Sequence, residues 1–161
     1  GRGTCFRILF PKRASTLSES VKTSPAPTVT LPATSSGRVL VVEDERLIRV
    51  TLRHTLETLG YVVLLAEDGK QAIEKSRACE GPIDLVLSDI VLPDSSGPEI
   101  VEALKRERPG LRALYMSAYS TDLLVQQGRV SPGTRTLEKP FDETTLARAV
   151  REAMGEGVSS V

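Results

Sequence analysis

Three carboxylates, one hydroxyl and one ammonium stand at separate points of this 161-residue chain, each close behind a short apolar run. Glu43 and Asp44 follow Val39–Val42, Asp89 follows Leu85–Leu87, Ser117 follows Leu114-Tyr115-Met116, and Lys139-Pro140 follows Thr136-Leu137-Glu138. If these runs are neighbouring parallel strands, all five groups converge on one edge of the sheet. Three carboxylates within about 5 Å of one another repel by several kcal/mol per pair at an intermediate effective dielectric. A hard cation with oxygen ligands offsets that repulsion. Mg²⁺ suits the count, because it takes one or two carboxylates, keeps waters and binds substrate phosphate; the backbone carbonyl of Val91 is the candidate for a further protein ligand. With metal in place, Asp89 becomes a nucleophile towards phosphorus and would carry the group as an aspartyl phosphate. A phosphoryl group in transfer spreads charge over three oxygens, so Lys139 is read as a second cation and Ser117 as a hydroxyl donor.

The elements that must position these groups alternate from Arg38 onward. Val39–Val42 is a continuous apolar run, suited to a strand buried on both faces. Asp44 is expected to cap a helix striped by Ile48, Leu52, Leu56 and Leu59 and ended by Gly60. Tyr61–Leu65 reads as the second strand, and Asp68-Gly69 turns into a helix with Ala72, Ile73 and Ser76 inward. Leu85–Leu87 is the third strand. A loop through Pro93 and Gly97 leads to a helix carrying Ile100, Val101 and Leu104, closed by Pro109-Gly110. Leu111–Met116 is the fourth strand, followed by a short polar helix near Thr121–Gln127. Thr134–Glu138 is the fifth, and Leu146, Val150, Ala153 and Met154 stripe the last helix. Five such strand–helix units predict an α/β fold, an open parallel sheet with helices on both faces. Ligands in such sheets sit beyond the carboxyl ends of the strands, where the motif residues fall.

Composition agrees with one ordinary globular domain and excludes several classes. Lys plus Arg equals Asp plus Glu at 21 each, so no nucleic-acid surface is indicated, and no segment approaches the length of a membrane span. Residues 1–37 nevertheless hold five basic residues and one acidic, against 16 basic and 20 acidic in the remainder, which suggests two pieces of different origin. Residues 14–36 contain eleven Ser or Thr, three Pro and no aromatic residue. Such a stretch buries too little to offset its ordering entropy and reads as a linker of residues 14–37, spanning on the order of 25–30 Å as a coil. Cys5 and Cys79 are too few for a disulfide framework, which fits a cytoplasmic location. With no initiating Met and no signal-peptide stretch, the sequence is expected to be a fragment of a longer chain.

The motif residues resemble the receiver domain of two-component response regulators. VLVVEDE carries the acidic pair, DLVLSDIVLPDSSGPEI surrounds Asp89, LYMSAYS holds Ser117 and LEKPF holds Lys139. The resemblance runs from about Arg38 to Met154 and places the receiver at 38–155, with 156–161 a tail. It implies the flavodoxin-like (βα)5 fold with strand order 2-1-3-4-5, a cis Lys139–Pro140 peptide, and Mg²⁺ held by Glu43, Asp44, Asp89 and the Val91 carbonyl. The partner it implies is a phosphohistidine on a histidine kinase or a histidine phosphotransfer domain, with no nucleic acid and no direct membrane contact. Residues 1–13, GRGTCFRILFPKR, are similar to the close of the ATP-binding domain of histidine kinases, or else are a cloning remnant or a generic Gly turn and strand. The first alternative makes the parent a hybrid sensor histidine kinase with this receiver at its C-terminus, itself open to membrane anchoring. The ATP-binding residues are absent from the stretch, so the chain is expected to catalyse only its own phosphorylation and dephosphorylation.

Three departures from the family pattern bear on output. Glu43 stands where Asp is commoner, and Ser117 where Thr is commoner; both keep the required group. Thr136 occupies a position usually held by Tyr or Phe, so the aromatic rotamer switch of the family is expected to be missing. Val91 and Tyr119, two residues after Asp89 and Ser117, flank the path of the hydrolytic water and are expected to slow self-dephosphorylation. His54 lies in RHTLETLG, which lacks the surroundings of a kinase phosphoacceptor, and reads as a solvent-facing helical residue. The competing readings are a pseudo-receiver that binds partners without phosphorylation, and an acid-centred phosphatase or nuclease. Those last enzymes need a second Asp where this chain has Val91.

Overall fold

The computed structural model describes residues 37–155, which form five strands and five helices in strict alternation. The strands are β1 (Arg38–Val42), β2 (Val62–Ala66), β3 (Leu85–Asp89), β4 (Arg112–Ser117) and β5 (Thr136–Glu138). The helices are α1 (Arg46–Thr58), α2 (Gly69–Ala78), α3 (Gly97–Glu107), α4 (Thr121–Gln126) and α5 (Glu143–Met154). All four strand pairings are parallel, in the order β2-β1-β3-β4-β5, the flavodoxin-like arrangement expected from the sequence. The readings of residues 1–13, of all but the last residue of the linker 14–37, and of the tail 156–161 lie outside the described residues.

The period-two geometry of a strand explains the two cores. Val39, Val41, Leu85 and Leu87 point to one face and pack against Leu52 and Leu56 of α1 and Leu146 and Val150 of α5. Leu40, Val42 and Val86 point to the other, against Ala72 of α2, Ile100 and Leu104 of α3 and Leu124 of α4. Because β1 and β3 are covered on both sides, Val39–Val42 and Leu85–Leu87 are completely buried, which is why they read as unbroken apolar runs. Among the described residues no helix is long and apolar enough to cross a membrane.

Local chemistry fixes most helix ends. The carboxylate of Asp68 accepts the Gln71 N–H at 2.7 Å to cap α2, and Asp142 does the same for Thr145 on α5. Ser96 and Glu99 form a reciprocal capping box at α3, a Ser-x-x-Glu signature that the sequence reading passed over. Arg108, the residue after α3, donates to the carbonyls of Ser76, Cys79 and Gly81, closing the C-terminus of α2. The expected cap at Asp44 is not formed. The N-cap of α1 is Glu45, extended at φ −75° and ψ 114° and without a side-chain cap, because the chain spends one more residue in turning off β1 and the Asp44 carboxylate stays at the sheet edge. Three strand starts also shift inward. Tyr61 still bonds back to the Leu56 carbonyl at the end of α1, so β2 begins at Val62; β4 begins at Arg112 and β5 at Thr136.

One glycine is demanded by close approach. Gly97 opens α3 directly under the end of β3, donating its N–H to the Ile90 carbonyl at 3.0 Å. A Cβ there would lie 2.2 Å from the Asp89 carbonyl oxygen and 2.9 Å from Ser88 Oγ. Gly97→Ala is therefore expected to push β3 and α3 apart and destabilise the domain by about 1–3 kcal/mol, as overpacking does. Urea denaturation measures this, and a variant as stable as the parent would show that the loop yields without cost.

Candidate functional site

The strand order reverses direction between β1 and β3, and the crevice beyond their carboxyl ends is the natural ligand position in an open sheet. Glu43 is the first residue past β1, its N–H donating to the Ala66 carbonyl of β2 at 3.1 Å. Asp89 ends β3, the next strand over. One carboxylate oxygen from each of Glu43, Asp44 and Asp89 lies within 4.8 Å of the others, close enough for the three to hold one ion. From the far side, Lys139 Nζ donates to Glu43 Oε2 at 2.7 Å and to Asp89 Oδ2 at 2.6 Å. The sheet thus brings together four of the residues singled out in the sequence, from three different strand ends.

The second oxygens are held separately. Asp89 Oδ1 accepts the Val91 N–H at 2.9 Å, and Glu43 Oε1 accepts the Glu45 N–H at 3.2 Å. Asp44, by contrast, is exposed, and its carboxylate has no side-chain partner among the described residues. Ser117 is buried at the end of β4, with its Oγ accepting the Tyr119 N–H at 2.9 Å and its own hydrogen available to another acceptor. Its carbonyl accepts the Lys139 N–H at 2.7 Å, and the Lys139–Pro140 peptide is cis, as the resemblance implied.

Electrostatics set the chemical character of the site. Glu43 is only 1% exposed, and burial pushes its carboxyl above the ordinary carboxylate value despite the opposing pull of Lys139. Burial works to lower the Lys139 ammonium, but its hydrogen bonds to Asp89 and Glu43 outweigh this and raise it above the ordinary lysine value. One ammonium faces three carboxylates, so the donor set is short of positive charge. All-oxygen, anionic and only partly enclosed, it fits a hard divalent cation rather than a soft one.

The remaining sequence candidates add no side chain to this cluster. Val91 and Tyr119 are about half exposed, at 55% and 50%. Thr136 pairs its hydroxyl with that of Thr121, at the first turn of α4. His54 is exposed on α1, as expected. The sequence reading missed Arg49, whose guanidinium is turned onto the carbonyls of Glu43 and Asp44. Its signal was a cation near the start of a helix, where the dipole disfavours one.

Residues 39–151 match the family model of the response regulator receiver domain. The sensor kinase CckA of Brucella abortus is 31% identical over 159 residues, covering 96% of this chain, whereas the chain spans 17% of that protein's length. Among solved structures, the receiver domain of the hybrid histidine kinase CckA is 32% identical with a TM-score of 0.62, over 73% of this chain and 99% of that one. The response regulator TrrA of Thermotoga maritima, in complex with Mg²⁺ and BeF, is 30% identical with a TM-score of 0.59, over 73% of this chain and 98% of that one.

Removing the one ammonium leaves the buried Glu43 carboxylate without its partner. Lys139→Met is expected to lower the stability of the metal-free protein by about 2 kcal/mol, less than for a fully enclosed pair, since a fifth of the Lys139 side chain is exposed. Denaturation in the presence of a chelator reads this directly, and unchanged stability would mean that Glu43 takes up a proton at no cost.

Proposed function

The chain belongs to the response regulator receiver domain family of two-component signalling, and we propose that within it Asp89 accepts a phosphoryl group from phosphohistidine in a Mg²⁺-dependent reaction. The observation that carries this reading is the placement of Lys139 between Asp89 and Glu43, with Asp44 in ligand reach of both. In the transfer, an Asp89 carboxylate oxygen attacks phosphorus as the P–N bond breaks. Its electron pair returns to the imidazole nitrogen of the donor, and the product is an aspartyl phosphate.

The residues divide the work. Glu43, Asp44, Asp89 and the Val91 carbonyl would hold Mg²⁺. When bound, the ion offsets the carboxylate charge and orients the phosphoryl oxygens. Lys139 neutralises a phosphoryl oxygen as its charge develops, and Ser117 turns its free hydrogen to another. As Ser117 shifts towards the phosphoryl group it draws on the Tyr119 N–H it accepts, and so on the loop leading into α4. Thr136 supplies no ring to swing. Its hydroxyl pair with Thr121 instead couples β5 to the first turn of α4, so that output is a population shift of this loop and helix. The alignment with the Brucella abortus kinase, which takes in nearly the whole chain, supports placing this receiver behind a kinase ATP-binding domain and a linker in a hybrid kinase.

Intact-protein mass after incubation with acetyl phosphate tests the reading. The expected result is a gain of one phosphoryl group that requires Mg²⁺ and disappears in Asp89→Asn. No gain, together with no Mg²⁺ binding, would overturn it and leave a pseudo-receiver that acts by binding alone.

The second expectation concerns turnover. The half-exposed Tyr119 and Val91 obstruct the approach of water to the phosphoryl group, so Tyr119→Asn should shorten the lifetime of the phosphorylated form several-fold. The decay of the mass adduct measures it. A lifetime equal to the parent's would show that water reaches phosphorus by another path.

A further inference from the structure

Arg49 is the fourth residue of α1, yet its side chain is only 14% exposed, in a turn where Leu47 and Val50 stand largely in solvent. Its Nη1 donates to the carbonyl oxygens of both Glu43, at 2.5 Å, and Asp44, at 3.0 Å. Its Nη2 reaches Glu67 Oε2, just past β2, at 3.4 Å. Glu67 is in turn bonded to Gln71 of α2 through its carboxylate and its backbone N–H. One guanidinium therefore joins α1, the turn after β1 and the turn after β2.

Three features of the site make this contact consequential. The turn has no side-chain cap at Glu45 to fix it, and the first turn of α1 holds no acidic residue, so the usual devices that order a helix start are missing. A cation there runs against the helix dipole, which points to its being held by local partners rather than by helix preference. Finally, the carboxylates differ in what restrains them. Glu43 is anchored by Lys139 and the Glu45 N–H, and Asp89 by Lys139 and the Val91 N–H, whereas Asp44 has no side-chain partner among the described residues. Among the described residues the place of the Asp44 carboxylate is therefore set through its backbone, which is held by the Glu43 N–H on Ala66, by the Glu45 N–H on Glu43 Oε1 and, at the Glu43 and Asp44 carbonyls themselves, by Arg49.

We infer that Arg49 is a positioning residue for the metal site: by binding the Glu43 and Asp44 carbonyls it sets where the Asp44 carboxylate meets the cation. The inference rests on the proposal that Glu43, Asp44 and Asp89 are metal ligands. Arg49 touches neither the metal nor the phosphoryl group, so its loss alters metal affinity and leaves the chemistry at saturating metal intact.

The test is calorimetric titration of Mg²⁺ into the parent, Arg49→Gln and Arg49→Lys, with melting temperatures in chelator and phosphorylation rates from acetyl phosphate across Mg²⁺ concentrations. Arg49→Gln is expected to raise the Mg²⁺ Kd about tenfold, the usual consequence of removing a group that orients a ligand. The maximal phosphorylation rate should stay at the parent's value, and the metal-free melting temperature should fall by only a few degrees as the guanidinium's bonds are lost. Arg49→Lys, which keeps a donor but not the fork, should lie between the two. If Arg49→Gln does not fold, Arg49→Lys decides by the same criterion. A variant that binds Mg²⁺ as tightly as the parent overturns the inference, as does an affinity loss matched by loss of the metal-free fold. If the parent itself binds no Mg²⁺, the metal-ligand proposal fails instead.

Discussion

One ammonium serving two carboxylates across the sheet is the constraint on which the rest of the structure depends. Lys139 follows β5, Asp89 ends β3 and Glu43 follows β1, so the ion pair to Asp89 at 2.6 Å reaches over β4, and that to Glu43 at 2.7 Å over β4 and β3. With strands about 4.8 Å apart, β5 and β3 are separated by roughly 10 Å, and only a long side chain leaving the carboxyl edge can bridge them. The order β2-β1-β3-β4-β5 is therefore a condition of the chemistry. A sheet in which β5 stood elsewhere would leave Glu43 buried and unpaired.

That same constraint shows why the fold and the site were unequally legible in the sequence. Val39–Val42 and Leu85–Leu87 are covered on both faces, so burial wrote itself into unbroken apolar runs, and the polar residues after them stood out. Element boundaries were less accessible. Tyr61 is apolar enough to read as strand, but its N–H is committed to the Leu56 carbonyl of the preceding helix. Asp44 before a helical pattern has the local chemistry of an N-cap; tertiary geometry uses it in the carboxylate cluster instead, and a cap leaves no mark that distinguishes the two uses. The Ser96–Glu99 box could have been read, since its spacing is local.

Contacts that a side chain makes outside its own element were beyond reach. Arg49 binds carbonyl oxygens, which every residue possesses, so no residue type at any spacing announces the partner. The pairing of Thr121 with Thr136 is equally silent, because two hydroxyls 15 positions apart look like ordinary surface residues until β4 and β5 are paired with Tyr115 beside Thr136. Both contacts lie around the motif residues rather than among them. They determine how the five groups are held, whereas the motif determines only which groups are present.

Ser117 shows how holding and chemistry become one property. Its carbonyl accepts the backbone N–H of Lys139, and its hydroxyl accepts that of Tyr119. The hydroxyl and the ammonium that would meet a phosphoryl group are thus joined through one main-chain bond of 2.7 Å, so a displacement of either strand end is felt at both. Under the proposed phosphorylation, a charge arriving at Asp89 would compete for Lys139 with the buried Glu43 while drawing Ser117 forward, and the two pulls would act on adjacent strands in register, Ser117 opposite Glu138. The packed interior beneath them is fully buried and resists deformation. Displacement is left to the segments above the sheet edge, the turn after β4 and the short α4, whose first residue is tied to β5 by Thr136. On the proposed function, rigid strands and a compliant rim would convert a local change of charge into movement at one place.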